Sequence, residues 1–538
     1  MKNIKYWICL LILPLILAGC ELPMGWGANL NRGLEDGQVL RMTEPRMDAR
    51  LDPVYLSEIN GLNVLNNVTE PLMRMGKEHR PVPGMAEDVQ VSEDGKIYTF
   101  KIRNDAKWSD GKAVTAHDFA YAWKRLLEPK HKSSFASVLY GIKNAYLYQQ
   151  GKVSQDVVGI KVVDDLTLQV KLSKPDKNFL SKVALPILAP QRQDIIEKYN
   201  EQYATSSNTM VYNGPFVMIT FTPSKIVLMK NNTYWDRSNV SLKMVEIHVM
   251  KDPEKEKELY NQGQLDVARI HDDPEGFQQS SEYVHTEMAQ THYLFMNLNK
   301  PFFQNEHIRK AISLAIDRRV IVRRLKDGSK VAEGMVPPEL ITSEGQTYRN
   351  VSLKSLVSYN PEKAKKYLAN GLRELDERPP SLRFLVPDDK RKKVAIEIKK
   401  QLQENLGLDI LLETPEPEKL ESLKQTGQYD FMLDSWTADI NDPGTFLELL
   451  SSKTGRDLIQ QSSVLTNLVE LSQKTTDEEK RLTYLTRIEK LLIDPDQLAI
   501  VIPLYYQGET FLQRSNIKDF IRHPFGAEYS LKWAYISK

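Results

Sequence analysis

Cysteine is nearly absent from this chain. Of 538 residues, only Cys9 and Cys20 carry a thiol. Both lie in the first twenty positions, so the body has no disulfide, no thiolate metal site and no C-x-x-C redox pair. An excess of one charge is also missing, with 72 Lys plus Arg against 71 Asp plus Glu. That balance leaves no electrostatic footprint for nucleic acid. Past the N-terminus no run approaches the ~18 apolar residues that mark a spanning helix. Catalytic signatures are lacking too: no G-x-S-x-G, no H-E-x-x-H, no G-x-x-x-x-G-K-[ST]. The nine histidines are scattered, and His79, His117 and His131 share no metal-like spacing. We therefore expect no metal, no cofactor and no enzyme, and without an ATP-binding loop the chain cannot itself power transport. These absences favour a binder.

What is present begins with an export signal. Lys2 and Lys5 precede a short apolar run, Tyr6 to Leu17, broken by Pro14. Leu17-Ala18-Gly19-Cys20 closes it. These small residues before a cysteine resemble a bacterial lipobox, which implies a diacylglyceryl group on Cys20. Two acyl chains suffice for stable anchoring. Glu21 to Arg32, rich in Gly and Asn, reads as a tether. The remainder, 41% hydrophobic and 27% charged, is ordinary globular material too long for one core.

Strands and helices alternate along it. Val39 to Met42 and Ile97 to Ile102 read as strands, the second after a hairpin turn at Ser92 to Lys96. Thr115 with Asp118 forms a near capping box, opening a helix with Phe119, Ala122, Trp123 and Leu126 on one face. Val158 to Val163 and Leu166 to Leu172 form a hairpin. Ile226 to Lys230, Val245 to Met250, Leu265 to Ala268, Tyr293 to Leu298, Leu382 to Val386 and Glu509 to Leu512 are further strands. Helices are expected from Asp252-Pro253, over Pro361 to Leu368 and over Lys392 to Leu406. Tyr429, Phe431 and Leu433 alternate with Asp430, Met432 and Asp434, as in a strand with one buried face. The pattern breaks at Ser435-Trp436-Thr437-Ala438-Asp439, and Asn441-Asp442-Pro443-Gly444 closes it as a turn.

The segment Ala86 to Leu126 carries a Gly hairpin, an aromatic strand, W-S-D-G and V-T-A-x-D-F in that order. It resembles the extracellular solute-binding proteins of the oligopeptide and dipeptide type. Tyr212 to Phe216, Asn231 to Trp235, Phe303 to Ala311 with Ile316-Asp317-Arg318, Tyr429 to Pro443 and Val501 to Tyr506 match later landmarks of that family in sequence. The resemblance implies an α/β, two-lobed periplasmic-binding-protein fold of type II, large cluster C type, with an extra subdomain in the N-terminal lobe. It also supplies boundaries that composition does not show. Residues 1–19 are the signal; 20–69, 196–289 and 509–538 form lobe I; 70–195 form the extra subdomain; 290–508 form lobe II.

A peptide ligand presents an α-ammonium, and burying it unpaired would cost several kcal/mol. The family's motif implies that Asp439 meets that ammonium. It implies a pocket wall at Trp436 and ligand pairing by the backbone of Ser435 and Thr437. Phe135 stands where the family places an aromatic against the ligand, and Ser57 to Ile59 where lobe I pairs with the peptide. Tyr505 and Gln507 lie on the closing strand, and Lys326 matches a basic residue that can reach the ligand's C-terminal end. Each has a bland alternative: a salt-bridged Asp439, a core Phe135, a solvated Lys326. Where relatives can carry a disulfide this chain has Gln290 and Thr437. A second pocket tryptophan is replaced around Thr414 to Pro417, and an acidic pocket residue by Phe295.

The function implied is a lipid-anchored, extracytoplasmic oligopeptide-binding protein. It would be a monomer at the membrane face that hands its ligand to an ABC permease. Alternatives are a different solute (peptide pheromone, dipeptide, nickel chelate, haem or glycan), a peptide-sensing receptor, or an anchored hydrolase.

Overall fold

The structure is a computed structural model. It describes residues 37–56, 59–270, 276–341, 346–352, 355–446, 462–475 and 477–538. The signal, Cys20 and Ser57 lie outside these residues.

Two four-stranded sheets occupy the N-terminal part. In one, Val39–Glu44 runs parallel to Met244–Val249, followed by Lys225–Lys230 and Phe216–Thr222. In the other the order is Ala86–Val91, Ile97–Ile102, Thr167–Lys171, Ile160–Asp164. Gly95 sits at φ +65° in the hairpin turn, a conformation that suits glycine. The helix Ala116–Leu126 opens as its sequence indicates, with both halves of the Thr115–Asp118 capping box made. It buries Phe119 and Trp123. Although the sheets are separate, one hydrophobic cluster joins them, running from Leu40 through Phe100 and Trp123 to Phe216 and Ile247.

A seven-stranded sheet organises the rest. Its path is Val267–Ile270, Val501–Gln513, Tyr283–Met296, Phe431–Thr437, Leu382–Leu385, Ile410–Glu413, with Lys330–Val331 added beside Val501–Gln513. A second large core forms around it and includes Leu294, Phe384, Phe431 and Ile502. The helices Glu306–Leu314, Pro361–Leu375, Arg391–Leu406 and Glu478–Ile493 contribute Ile308, Ala364, Ile398 and Ile488 to that core.

Three sequence expectations change here. The strand expected at Tyr293 to Leu298 begins ten residues earlier, at Tyr283. The one expected at Glu509 to Leu512 is the end of the thirteen-residue strand Val501–Gln513. These long strands pair antiparallel with each other from Tyr283↔Leu512 to Phe295↔Val501, with register shifts between Glu287 and Thr291 and between His292 and Tyr293. They cross from one body to the other, so their burial partners change along the way and no single alternation survives. Near the crossing, Gly508 lies so close to Gly328 that a Cβ would stand 2.3 Å from its carbonyl carbon.

The third change concerns Phe431–Thr437. Phe431 and Leu433 face the second core, but Met432 is buried too, packed with Leu385, Leu423 and Tyr429. Both faces are covered, as in the near-continuous apolar strands of sheets flanked by helices. The strand also runs on through Trp436 and Thr437, because Thr291 and Gln290 pair with them.

Candidate functional site

The strand Phe431–Thr437 has two different edges. One pairs along its whole length with Tyr283–Met296, from Met296↔Phe431 to Gln290↔Thr437. The other meets Leu382–Leu385 only at Phe431 and Met432. From Leu433 to Thr437 that second edge has no strand beside it among the described residues. Just past the strand, Ala438 N–H donates to the Ala289 carbonyl at 2.9 Å. Backbone groups alternate sides along a strand, so those of Ser435 and Thr437 turn toward the free edge. The Ser435 N–H accordingly donates not to the neighbouring strand but to Asp434 Oδ1, at 2.9 Å.

Asp439 follows immediately. It is solvent-exposed, yet protein crowds its carboxyl closely enough that poor solvation raises its pKa. No hydrogen bond or ion pair reaches it from any described residue, and no cation offsets the desolvation. Its neighbours are tightly held. The Ala438 carbonyl accepts from Gly526 N–H at 3.2 Å, and Ile440 is 4% exposed. The carboxylate is thus fixed on a tightly held loop with no partner among the described residues.

Trp436 is half-buried against the second core, and its Nε1 donor is buried without an acceptor. Gln290 and Thr437 stand directly opposite each other, and Gln290 Nε2 lies 3.4 Å from Ser435 Oγ. Phe295 opposes Met432 and is half-buried between the second core and the small cluster of Leu385, Leu423, Tyr429 and Met432.

The closing strand places Tyr505 and Gln507 differently from a simple ligand wall. Tyr505 is 1% exposed, its ring stacks on His292 at 4.4 Å, and its hydroxyl is buried without a partner among the described residues. Gln507 is buried, and its Oε1 accepts from Lys390 Nζ at 2.7 Å. Lys390 also donates to Asp327 Oδ2 at 3.0 Å. His292 was not singled out from the sequence. Burial, then the charges of Lys390 and Arg391, push its pKa down to about 3, so the ring is neutral. Among the described residues its ring nitrogens meet no hydrogen-bond partner of full geometry, and the Gln507 side chain is the polar group that acts on the ring. Nothing in a lone histidine within T-H-Y-L-F indicates this; only the pairing of Tyr505, His292 and Ser435 in one row brings it to the site.

Lys326 is exposed at φ +49°, capping the helix Arg318–Leu325, with no ion pair from a described residue. Ile59 begins the helix Ile59–Val68, and Phe135 lies in the 3-10 turn Ser134–Leu139; both are half-buried against the first core. They belong to the other body from Asp439 and Trp436. Among the described residues no group of three or more His, Asp or Glu side chains is arranged to hold a metal ion, and no helix is long and apolar enough to cross a membrane.

The family of bacterial extracellular solute-binding proteins, family 5, matches residues 80–457. The dipeptide-binding protein DppE of Bacillus subtilis (strain 168) is 34% identical over 478 residues, covering 87% of each chain. The oligopeptide-binding protein OppA of the same organism is 31% identical, covering 97% of each. A solved structure of Listeria monocytogenes OppA bound to peptide superposes with a TM-score of 0.80 at 32% identity, covering 93% of this chain and 99% of that one. The fold is the two-lobed one of these proteins, and the chain belongs to the bacterial extracellular solute-binding proteins of family 5.

Proposed function

We propose that this protein captures peptides by their free amino end between its two lobes and delivers them to an ABC permease. The observation that carries the reading is the partnerless Asp439 carboxylate beside the unpaired edge at Ser435 and Thr437. A peptide supplies what both lack: an ammonium for the carboxylate and a strand of donors and acceptors for the edge. Trp436 then forms a wall of the side-chain pocket, and Phe135, Ile59 and Ser57 close on the ligand from lobe I. Tyr505 and Gln507 act from below through the His292 and Lys390 contacts. Lys326, an exposed cation with no partner among the described residues, serves the ligand's carboxyl end. Lobe II comprises 290–508, with lobe I and its subdomain on either side in sequence. Relatives named for dipeptides and oligopeptides support the ligand class. Cys20 carries the lipid that holds the monomer at the extracytoplasmic membrane face.

Calorimetry with tri- to pentapeptides and their N-acetylated forms tests the amino-end assignment. Acetylation is expected to abolish most of the affinity. Equal affinity for both forms would sink the ammonium role, and intact recovery of bound peptide separates a binder from a hydrolase.

A further inference from the structure

Beside Asp439 the chain is tied to both lobes at once. Ala438 belongs to the second core, but Ile440, two residues on, is buried in the first. Asp442, 8% exposed, is held from its own side by Arg481, whose Nη1 and Nη2 donate to Oδ1 and Oδ2 at 2.9 Å each. The Gly444 N–H adds a bond to Oδ1 at 3.0 Å. Arg481 lies on the helix Glu478–Ile493, whose Leu485 and Ile488 are in the second core. From the opposite body, Asn178 Nδ2 donates to Asp442 Oδ2 at 2.7 Å. Asn178 immediately precedes Phe179, which is buried in the first core. One residue earlier, Lys177 is ion-paired with Glu478 on the same lobe II helix.

We infer that Asp442, oriented by Arg481 and bonded across to Asn178, is a latch that holds the lobes closed beside the ammonium site and sets how long a bound peptide is retained. The inference rests on the peptide-binding reading for its ligand, though not for the contact itself. The Arg481–Asp442 pair lies within one lobe and persists whether the lobes are open or shut. The Asn178 bond, the Lys177–Glu478 pair and the burial of Ile440 exist only when the lobes meet. Ligand contacts favour the closed state through differential binding, and the latch contributes to the same equilibrium. One hydrogen bond to a carboxylate shifts such an equilibrium by about tenfold. That is strong enough to slow release and weak enough to open. Asp442 and Asn178 are positioning residues, since neither need touch the ligand.

Asn178→Asp and Asn178→Ala test the latch. The Asn178 side chain caps no helix, so both variants should melt as the wild type does. Small-angle scattering of the purified protein without ligand should show Asn178→Asp more open than wild type, because two carboxylates would then face each other. Stopped-flow release of trialanine should quicken about tenfold in Asn178→Ala and further in Asn178→Asp, with association little changed. Unchanged scattering together with unchanged release would overturn the latch. If the wild type does not bind trialanine, the peptide reading fails by itself, and the scattering comparison still decides the latch.

Discussion

Two carboxylates in lobe II are treated in opposite ways. Glu489 is fully buried and saturated: its Oε1 accepts from Met335 N–H at 2.7 Å and Val336 N–H at 2.8 Å, and Arg349 pairs with it. Asp439 is exposed, its pKa raised by desolvation, and it has no partner among the described residues. A fold that can supply two amides and a guanidinium to one carboxylate could have supplied a lysine to the other. Glu489 obeys the rule that buried polar groups are satisfied, whereas Asp439 is exposed and open to a partner from outside. Glu489 is held by the structure, and on the proposed reading Asp439 is left for a ligand.

The largest expected effect lies on the structural side. Glu489→Ala strands Arg349 and two amides, and breaking such a buried pair costs about 3–5 kcal/mol. Urea unfolding should move by that amount; a midpoint like the wild type's would show that the pair is not structural. Next comes Asp439→Asn. Removing one member of a desolvated charge pair costs about 2 kcal/mol or more, so affinity for free-amine peptides should fall at least about thirtyfold. Stability should stay level or rise, because a desolvated charge has gone. A loss of stability instead would place Asp439 with Glu489 and erase the contrast.

A third expectation uses pH. Because the Asp439 pKa is raised by desolvation, its ionised form disappears at a higher pH than for an ordinary aspartate. Affinity should therefore weaken on the acid side beginning above about pH 4, and on the alkaline side near about pH 8 as the α-amino group loses its proton. Calorimetry across pH 4–9 would give a bell for the wild type, and Asp439→Asn should lack the acid limb.

The smallest effect concerns Glu528, a half-buried acid near Arg269 and the crossing strands. Burial raises its pKa first, and Glu509 adds to this, while Arg269 opposes. An acid whose pKa is raised on folding contributes stability below its unfolded value near 4.5, and that contribution is lost as pH climbs toward its folded value. Glu528→Gln removes the ionisation cost while keeping an acceptor for Asn63, which lies 3.0 Å from Oε2. It should raise the melting temperature at pH 8 by a few degrees and change little at pH 5; an equal shift at both would refute the titration.

Local signals carried much of the fold. The Thr115–Asp118 capping box, the Gly95 turn and the starts of the helices at Pro253 and Pro361 are short-range devices, visible in a few consecutive residues. The crossing strands were foreshortened because their neighbours change from lobe to lobe and erase the period. Met432 is buried for a related reason: the helix Pro417–Gln425 covers a face that the sequence leaves looking free. Within the site, W-x-A-D could be noticed in a linear reading, whereas His292 and Asn178 could not. Their significance depends on Tyr505, Ser435 and Asp442, which lie more than a hundred residues away in the chain.

By itself, then, the sequence determined the composition of the molecule: a body without thiols, balanced in charge, built from alternating strands and helices, with an aromatic and an acid at the end of one of them. Only the tertiary structure decided which polar groups are satisfied and which are left waiting. Satisfaction is a property of distance and orientation between groups remote in the chain, and Asp439 stands out only once Glu489, with every need met, can be seen in the same lobe.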